Sequence, residues 1–346
     1  MSTKKLGRQT VVLSTPPSFL SWANVVGHKE GAGPLADTFD YIDADDTFGQ
    51  PSWEKSESAM QKQALSLALN KDGLSPSSLD WLFAGDLLNQ CVSSSFAARD
   101  QDIPFFGLYG ACSTMGEGLA LAAMTLDGGF GSCAGVVASS HFCSAERQYR
   151  SPLEYGSQRT PTAQRTVTGA GAAILSTQGP GPYITHVTPG KIVDKGITDT
   201  NNMGAAMAPA VFDTLKAHFQ DTGRTPKDYD LIVTGDLGQL GSELLEELLR
   251  REGLEIISNH TDCGLLIFDL EGQDVHSGGS GCGCCASVLT GYLLERMKSG
   301  VWQRILFCPT GALHSPTTAF QGESIPGICH AIAISNRKEG CFFWSM

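Results

Sequence analysis

The sequence predicts a duplicated α/β protein whose two similar halves carry mostly parallel sheets, and three observations lead there. Residues 73 to 87 (GLSPSSLDWLFAGDL) and 223 to 237 (GRTPKDYDLIVTGDL) align without a gap, sharing Gly73/Gly223, Pro76/Pro226, Asp80/Asp230, Gly85/Gly235, Asp86/Asp236 and Leu87/Leu237. Around each copy, runs of strand length alternate with runs of helical period. The composition is that of a tightly turned core, with 40 glycines, 41% hydrophobic and 17% charged residues in 346.

Taken in order, TVVL opens a β-rich run from Gln9 to Leu20 that breaks at Pro16-Pro17. GHKEGAGPLADTFD, Gly27 to Asp40, follows without a clear period and reads as an ordered loop. Trp53 to Leu69 is an amphipathic helix, with Ala59, Met60, Ala64, Leu65, Ala68 and Leu69 on one side. In each repeat a glycine ends a helix, Ser75 or Thr225 caps a short turn with proline at its first position, and a strand runs to Gly-Asp. A helix precedes the second copy at Ala208 to Phe219.

After the first copy, Ile103 to Tyr109 (IPFFGLY) has strand length and leads to Gly110-Ala111-Cys112-Ser113-Thr114. Met115, Leu119, Ala122, Ala123 and Leu126 then recur at helical spacing until Asp127-Gly128-Gly129. The second half answers with Gly278 to Gly300. Both helices are rich in Ala, Gly, Ser and Cys, the composition of helices buried on several sides. Each is followed by a strand, Cys133 to Ser139 and Arg304 to Ala312. The Gly179-Pro180-Gly181-Pro182 stretch divides the chain into halves 1–180 and 181–346.

Cys112 is the most reactive position on this map. A helix start offers N–H groups and the positive end of the macrodipole, so it suits a thiolate or a bound carboxylate; the bland alternative is a small residue in a crowded turn. A net charge of −12 argues against nucleic acid as a generic partner. Eleven cysteines, mostly inside apolar runs, argue against a secreted disulfide framework. The first residues, MSTKKLGRQTVV, do not read as a signal peptide, and no apolar run comes near the roughly 18 residues that span a bilayer. A zinc site from His260, Cys263, Cys282, Cys284 and Cys285 has poor spacing, since structural zinc prefers C-x₂₋₄-C pairs. The scattered GxG patterns do not make a dinucleotide site.

The pattern resembles the thiolase and ketoacyl synthase superfamily, which implies a five-layered α-β-α-β-α fold. Cys112 in GACST falls at that superfamily's nucleophile, and TVTGAGAAIL (Thr166 to Leu175) resembles its glycine-rich strand. Over nearly the whole length the chain resembles the stage V sporulation AD family of spore-forming bacteria. GDLLNQ, FGLYGACSTMGE, SSHFCSAERQYRSPLEYG, DKGITDTNNMGAAMAPA, HTDCGLLI, SGGSGCGC and TGALHSPTT carry that likeness.

The resemblance implies a peripheral protein of the forespore and spore inner membrane. It would bind pyridine-2,6-dicarboxylate (dipicolinic acid) and work with other proteins of the stage V sporulation A membrane assembly, as a homodimer paired through Ile103 to Tyr109. No resident cofactor or metal is implied, with calcium an option as the dipicolinate complex. Condensing enzymes set histidines beside the cysteine. Here HSGGSGCG puts glycine in one such place, and Gly235 or Asp236 stands in the other. This favours a binder over an acyltransferase using Cys112.

The candidate ligand site joins two helix starts, Cys112-Ser113 and Ser280-Gly281-Cys282, with Asn89 and Gln90 as uncharged donors. Arg147 and Arg150, from a cluster that also holds Arg159 and Arg165, would attract an anion. Asp86 and Asp236 would bond N–H groups of their own turns or hold bridging calcium. His141 is included, with His260 and His314 as further candidates.

Overall fold

A computed structural model of the chain describes residues 4–149 and 159–339. The first half contributes β1 (Ser18–Val26), β2 (Trp81–Gly85), β3 (Phe105–Leu108), β4 (Cys133–Ser140) and β5 (Gly169–Ser176). The second contributes β6 (Tyr183–Thr188), β7 (Leu231–Thr234), β8 (His260–Asp262), β9 (Arg304–Cys308) and β10 (Ala331–Ser335). Their order across the molecule is β8-β7-β9-β10-β6-β1-β5-β4-β2-β3.

The halves repeat one topology. In the first, β1–β5 and β5–β4 are antiparallel while β4–β2 and β2–β3 are parallel. In the second, β6–β10 and β10–β9 are antiparallel while β9–β7 and β7–β8 are parallel. The sheets are therefore mixed rather than mostly parallel: the last strand of each half is inserted between the first and a middle strand, opposed to both. The two sets meet edge to edge through the pair Ser18 and Tyr183.

The repeated turns form as their residues dictate. Ser75 and Thr225 each close a capping box over a 3-10 turn with proline at its start, at Pro76–Ser78 and Pro226–Asp228. The helices are α1 (Trp53–Lys71), α2 (Val92–Ala98), α3 (Thr114–Asp127), α4 (Phe142–Tyr149), α5 (Met203–Thr222), α6 (Gly238–Arg251), α7 (Cys263–Ile267) and α8 (Cys282–Val288).

Three apolar clusters define the layers. Met60, Ala64, Leu65, Ala68 and Leu69 of α1 pack with Val25, Val137 and Ala172 on one outer face. Met207, Val211 and Leu215 of α5, with Leu245 and Leu249 of α6, pack with Ile232, Leu306 and Ala333 on the other. Between the sheets lie α3 and α8, sharing one cluster with Phe83, Val136, Val233 and Phe307. This is the α-β-α-β-α stack.

All seven residues of α8 are buried, and small side chains are what let it in. A Cβ at Gly171 would stand 2.3 Å from the carbonyl oxygen of Ala286. Two local readings change. SFLSWANVV is a nine-residue strand at the middle of the sheet, beyond the Pro16-Pro17 break. The loop Gly27 to Asp40 contains a short helix, His28–Gly31, and a 3-10 turn, Ala36–Thr38.

Candidate functional site

Strand β3 delivers the chain to a tight turn in which Ala111 takes a left-handed φ of 49°. Ser113 N and Thr114 N donate to Gly110 O and Ala111 O at 3.1 and 3.2 Å, and the Ser113 and Thr114 hydroxyls donate to the same two oxygens, each at 2.6 Å. The turn is thus held by its own polar groups, with Cys112 at its tip ahead of α3.

The second half supplies the facing wall. Gly279–Ser280 pairs in parallel with Arg165–Thr166, and Gly281, at φ 96°, turns the chain into α8. Ser280 Oγ lies 3.9 Å from Cys112 Sγ and donates to Asp236 Oδ2 at 2.9 Å. Gly281 N donates to the same carboxylate oxygen at 3.0 Å, and the Thr310 hydroxyl donates to the other. Gly283 N donates to Ser140 Oγ at 3.1 Å. Two amides of the α8 start, Gly281 N and Gly283 N, are therefore spent inside the protein, the first of them on Asp236.

The thiol is correspondingly hard to ionise. Burial pushes the Cys112 thiol well above its ordinary pKa, and the Asp236 charge pushes it the same way. The helix field that favours a thiolate is outweighed, because an anion here would be both dry and beside a carboxylate. Burial also raises Asp236, to about 6, while the Thr310 hydroxyl and the Gly281 amide lower it.

The repeated aspartates have parted. Asp86 bonds its own turn, accepting from Leu88 N, Ser94 N and the Ser94 hydroxyl at 2.8, 2.8 and 2.6 Å. In the second half Asp262 accepts from Leu237 N and Gly238 N at 2.8 and 3.1 Å, and Asp236 instead crosses to the α8 start.

Above Cys112 and Ser280 opens a cavity of about 210 Å³. Tyr109, Tyr149 and Leu87 form one wall, Gln164 and Thr166 another, and Thr200, Asn201 and His314 a third. The Tyr149 hydroxyl donates to Leu87 O and lies 3.0 Å from the Tyr109 hydroxyl, so both phenols are anchored. Gln164 Nε2 donates to Asp236 O at 2.6 Å and Gly279 O at 3.0 Å.

Of the residues singled out in the sequence, Cys112, Ser280 and, from the further candidates, His314 line this cavity. Ser113, Asp236, Gly281 and Cys282 stand directly behind it; the Cys282 thiol reaches Ser139 O at 2.8 Å. Asn89 and Gln90 are exposed and outside the lining. His141 bonds Asp46 O at 2.8 Å and packs on Trp53, also outside it. Arg147 pairs with Glu54, Arg159 pairs with Asp274 at 2.6 Å, and Arg165 stacks on Phe142 at 3.6 Å. Arg150 lies outside the described residues.

Sequence reasoning misses Tyr149 and Asn201, which line the cavity with His314. All three lie in long aperiodic segments, SSHFCSAERQYRSPLEYG, DKGITDTNNMGAAMAPA and TGALHSPTT, and lack of a packing period was the available signal.

Comparison with known proteins places this geometry. The family model described as stage V sporulation protein AD matches residues 7–335. The chain belongs to the stage V sporulation protein AD family. It is 45% identical over 330 residues to stage V sporulation protein AD of Bacillus subtilis (strain 168), covering 95% of this chain and 97% of that one.

Among solved structures, similar folds are 3-oxoacyl-[acyl-carrier-protein] synthase III from Aquifex aeolicus VF5 and Xanthomonas campestris OleA E117A. The synthase has a TM-score of 0.56 at 12% identity over 92% of this chain and 99% of that one. OleA has 0.58 at 13%, over 94% and 99%. The fold of this family member is that of the thiolase-like condensing enzymes.

Proposed function

We propose that this family member is a non-catalytic binder of dipicolinic acid. It would support movement of that acid across the spore inner membrane during sporulation and germination, as a peripheral component of the stage V sporulation A assembly. The observation that carries the reading is the pair Cys112 and Asp236. Acyl transfer needs a thiolate with a proton donor beside it, whereas here burial, reinforced by the Asp236 carboxylate bonded to Ser280, favours the protonated sulfur. What remains is an open cavity with anchored aromatic walls, suited to a flat ring. The Asp236 charge behind it is already met by three donors.

Titration calorimetry of the purified chain with dipicolinate, with and without calcium, tests this. Saturable heat is expected, and no heat at millimolar ligand would sink it. Among the described residues no helix is long and apolar enough to cross a membrane, which fits a peripheral role. The open edge at β3, with Phe106 and Tyr109 exposed, is the surface for the homodimer. Light scattering should give twice the chain mass.

One feature keeps acyl transfer as a second reading: the cysteine sits on a strand-to-helix turn in a condensing-enzyme fold. Incubation with short acyl-CoA thioesters would then add an acyl mass that Cys112→Ala abolishes.

A further inference from the structure

Five buried histidines lie among the described residues: His141, His186, His218, His314 and His330. Four have a ring nitrogen engaged within the protein. His218 reaches Thr188 and Tyr229 at 2.8 and 2.5 Å, His141 reaches Asp46 O at 2.8 Å, His186 reaches Thr185 at 3.0 Å, and His330 accepts from Gly190 N at 3.2 Å. His314 is 7% exposed; neither Nδ1 nor Nε2 meets a partner at full hydrogen-bond geometry, and the Ser315 backbone, close enough to act against the burial that lowers the ring's pKa, is the neighbour that falls short of it. Buried polar groups are ordinarily satisfied, so a ring with two idle nitrogens needs a reason.

Its surroundings supply one. The ring lines the cavity above Cys112 and packs on Tyr149 with centroids 5.2 Å apart. Its backbone is fixed on both sides: Leu313 N donates to Pro326 O at 2.8 Å, His314 N donates to Ala312 O at 2.9 Å, and Ser315 caps the helix Pro316–Phe320. Two residues before Ala312, the Thr310 hydroxyl braces Asp236. Burial lowers the imidazole pKa, so the ring is neutral at pH 7 and carries one N–H and one lone pair.

We infer that His314 is the residue by which this cavity reads its ligand, its N–H donating to a carboxylate oxygen of a flat ring-bearing acid and its other nitrogen accepting from a bound water. This rests on the binding reading above and adds a specificity-determining residue to it. A donor on a neutral ring recognises a carboxylate oxygen without a second charge. The ring cannot turn away, because Tyr149 and the capped loop hold it.

The experiment compares the wild-type chain with His314→Phe and His314→Gln, by calorimetric titration with dipicolinate and by thermal unfolding without ligand. His314→Phe keeps a flat ring and removes both nitrogens; at least about a ten-fold loss of affinity is expected, together with unfolding at a higher temperature because an unsatisfied polar ring has gone. His314→Gln restores a donor and an acceptor and should recover part of the affinity. Wild-type binding that persists unchanged in His314→Phe overturns the inference while leaving the ligand reading intact. No heat with the wild type defeats the ligand reading, and the ring is then judged by nitrogen NMR of the free protein. Two unbonded ring nitrogens, with His314→Phe unfolding higher, uphold a ring held in reserve; a nitrogen already bonded within the protein overturns it.

Discussion

Glu57 gives the sharpest test of the electrostatics behind the site. It is buried on α1 and accepts from the Ser139 hydroxyl at 2.8 Å and the Ser144 hydroxyl at 3.0 Å. Burial, reinforced by the Asp86 charge, raises its pKa to about 8 from an ordinary 4.5. The folded value lies above the unfolded one, so the folded chain holds the proton more tightly. The stability this confers is complete below pH 4.5 and is lost as pH rises through about 8. From pH 6 to pH 8 the loss is about 2 kcal/mol for this one group.

The total profile hides it. His186, His218 and His330 have pKa values lowered by burial to about 4, 3 and 4, so acidification over the same window favours the unfolded chain. That cost is about 1 kcal/mol for each histidine and opposes the glutamate, while Glu30, raised to about 7 by burial, acts in the same direction as Glu57 over this window. Glu57→Gln removes the titration and keeps the shape. Urea unfolding of both chains at pH 6, 7 and 8 should show the variant gaining on the wild type by about 2 kcal/mol across the range. A difference that stays flat with pH would refute a protonated Glu57 in the folded chain.

Two further outcomes follow from distances already given. Asp236→Asn removes the charge that helps to hold the Cys112 thiol protonated; alkylation of Cys112 at pH 8, followed by peptide mass spectrometry, should become several-fold faster, and an unchanged rate would break the link between the two residues. Gly171→Ala puts a Cβ 2.3 Å from Ala286 O and 2.5 Å from Ala286 C, both backbone atoms of α8; a loss of about 1–3 kcal/mol or more is expected by urea unfolding, and none would mean α8 is free to shift.

Much of the frame was legible because it depends on short-range chemistry. Pro76 and Pro226 behind their caps, the helical period of α1, and the glycines at the starts of α3 and α8 each act within a few residues. SFLSWANVV was not legible as the central strand. It is buried along nearly its whole length, so it carries no alternation to mark it. The antiparallel return of β5 and β10 was equally hidden, since the direction of a strand depends on where its connection lands. At the site, Cys112 and Ser280 could be found because each opens a helix. Asp236 pointed away from its own turn because Asp262, remote in sequence, had taken over that turn's amides.

That exchange explains how a duplicated fold can hold one site rather than two. In the first half, Asp86 must stay at its turn, since Leu88 N and Ser94 N have it as their acceptor. In the second half Gly238 N, the counterpart of Leu88 N, goes to Asp262 together with Leu237 N, and Asp236 ties Ser280, Gly281 and Thr310 together beside Cys112. The same carboxylate then adds to the burial that raises the thiol and takes the Gly281 amide just ahead of α8. One replacement of hydrogen-bond partner thus separates the halves chemically while leaving their strand order identical. Cys112 and Ser280 stand in the lining of the cavity, and the ring of His314 shares that lining.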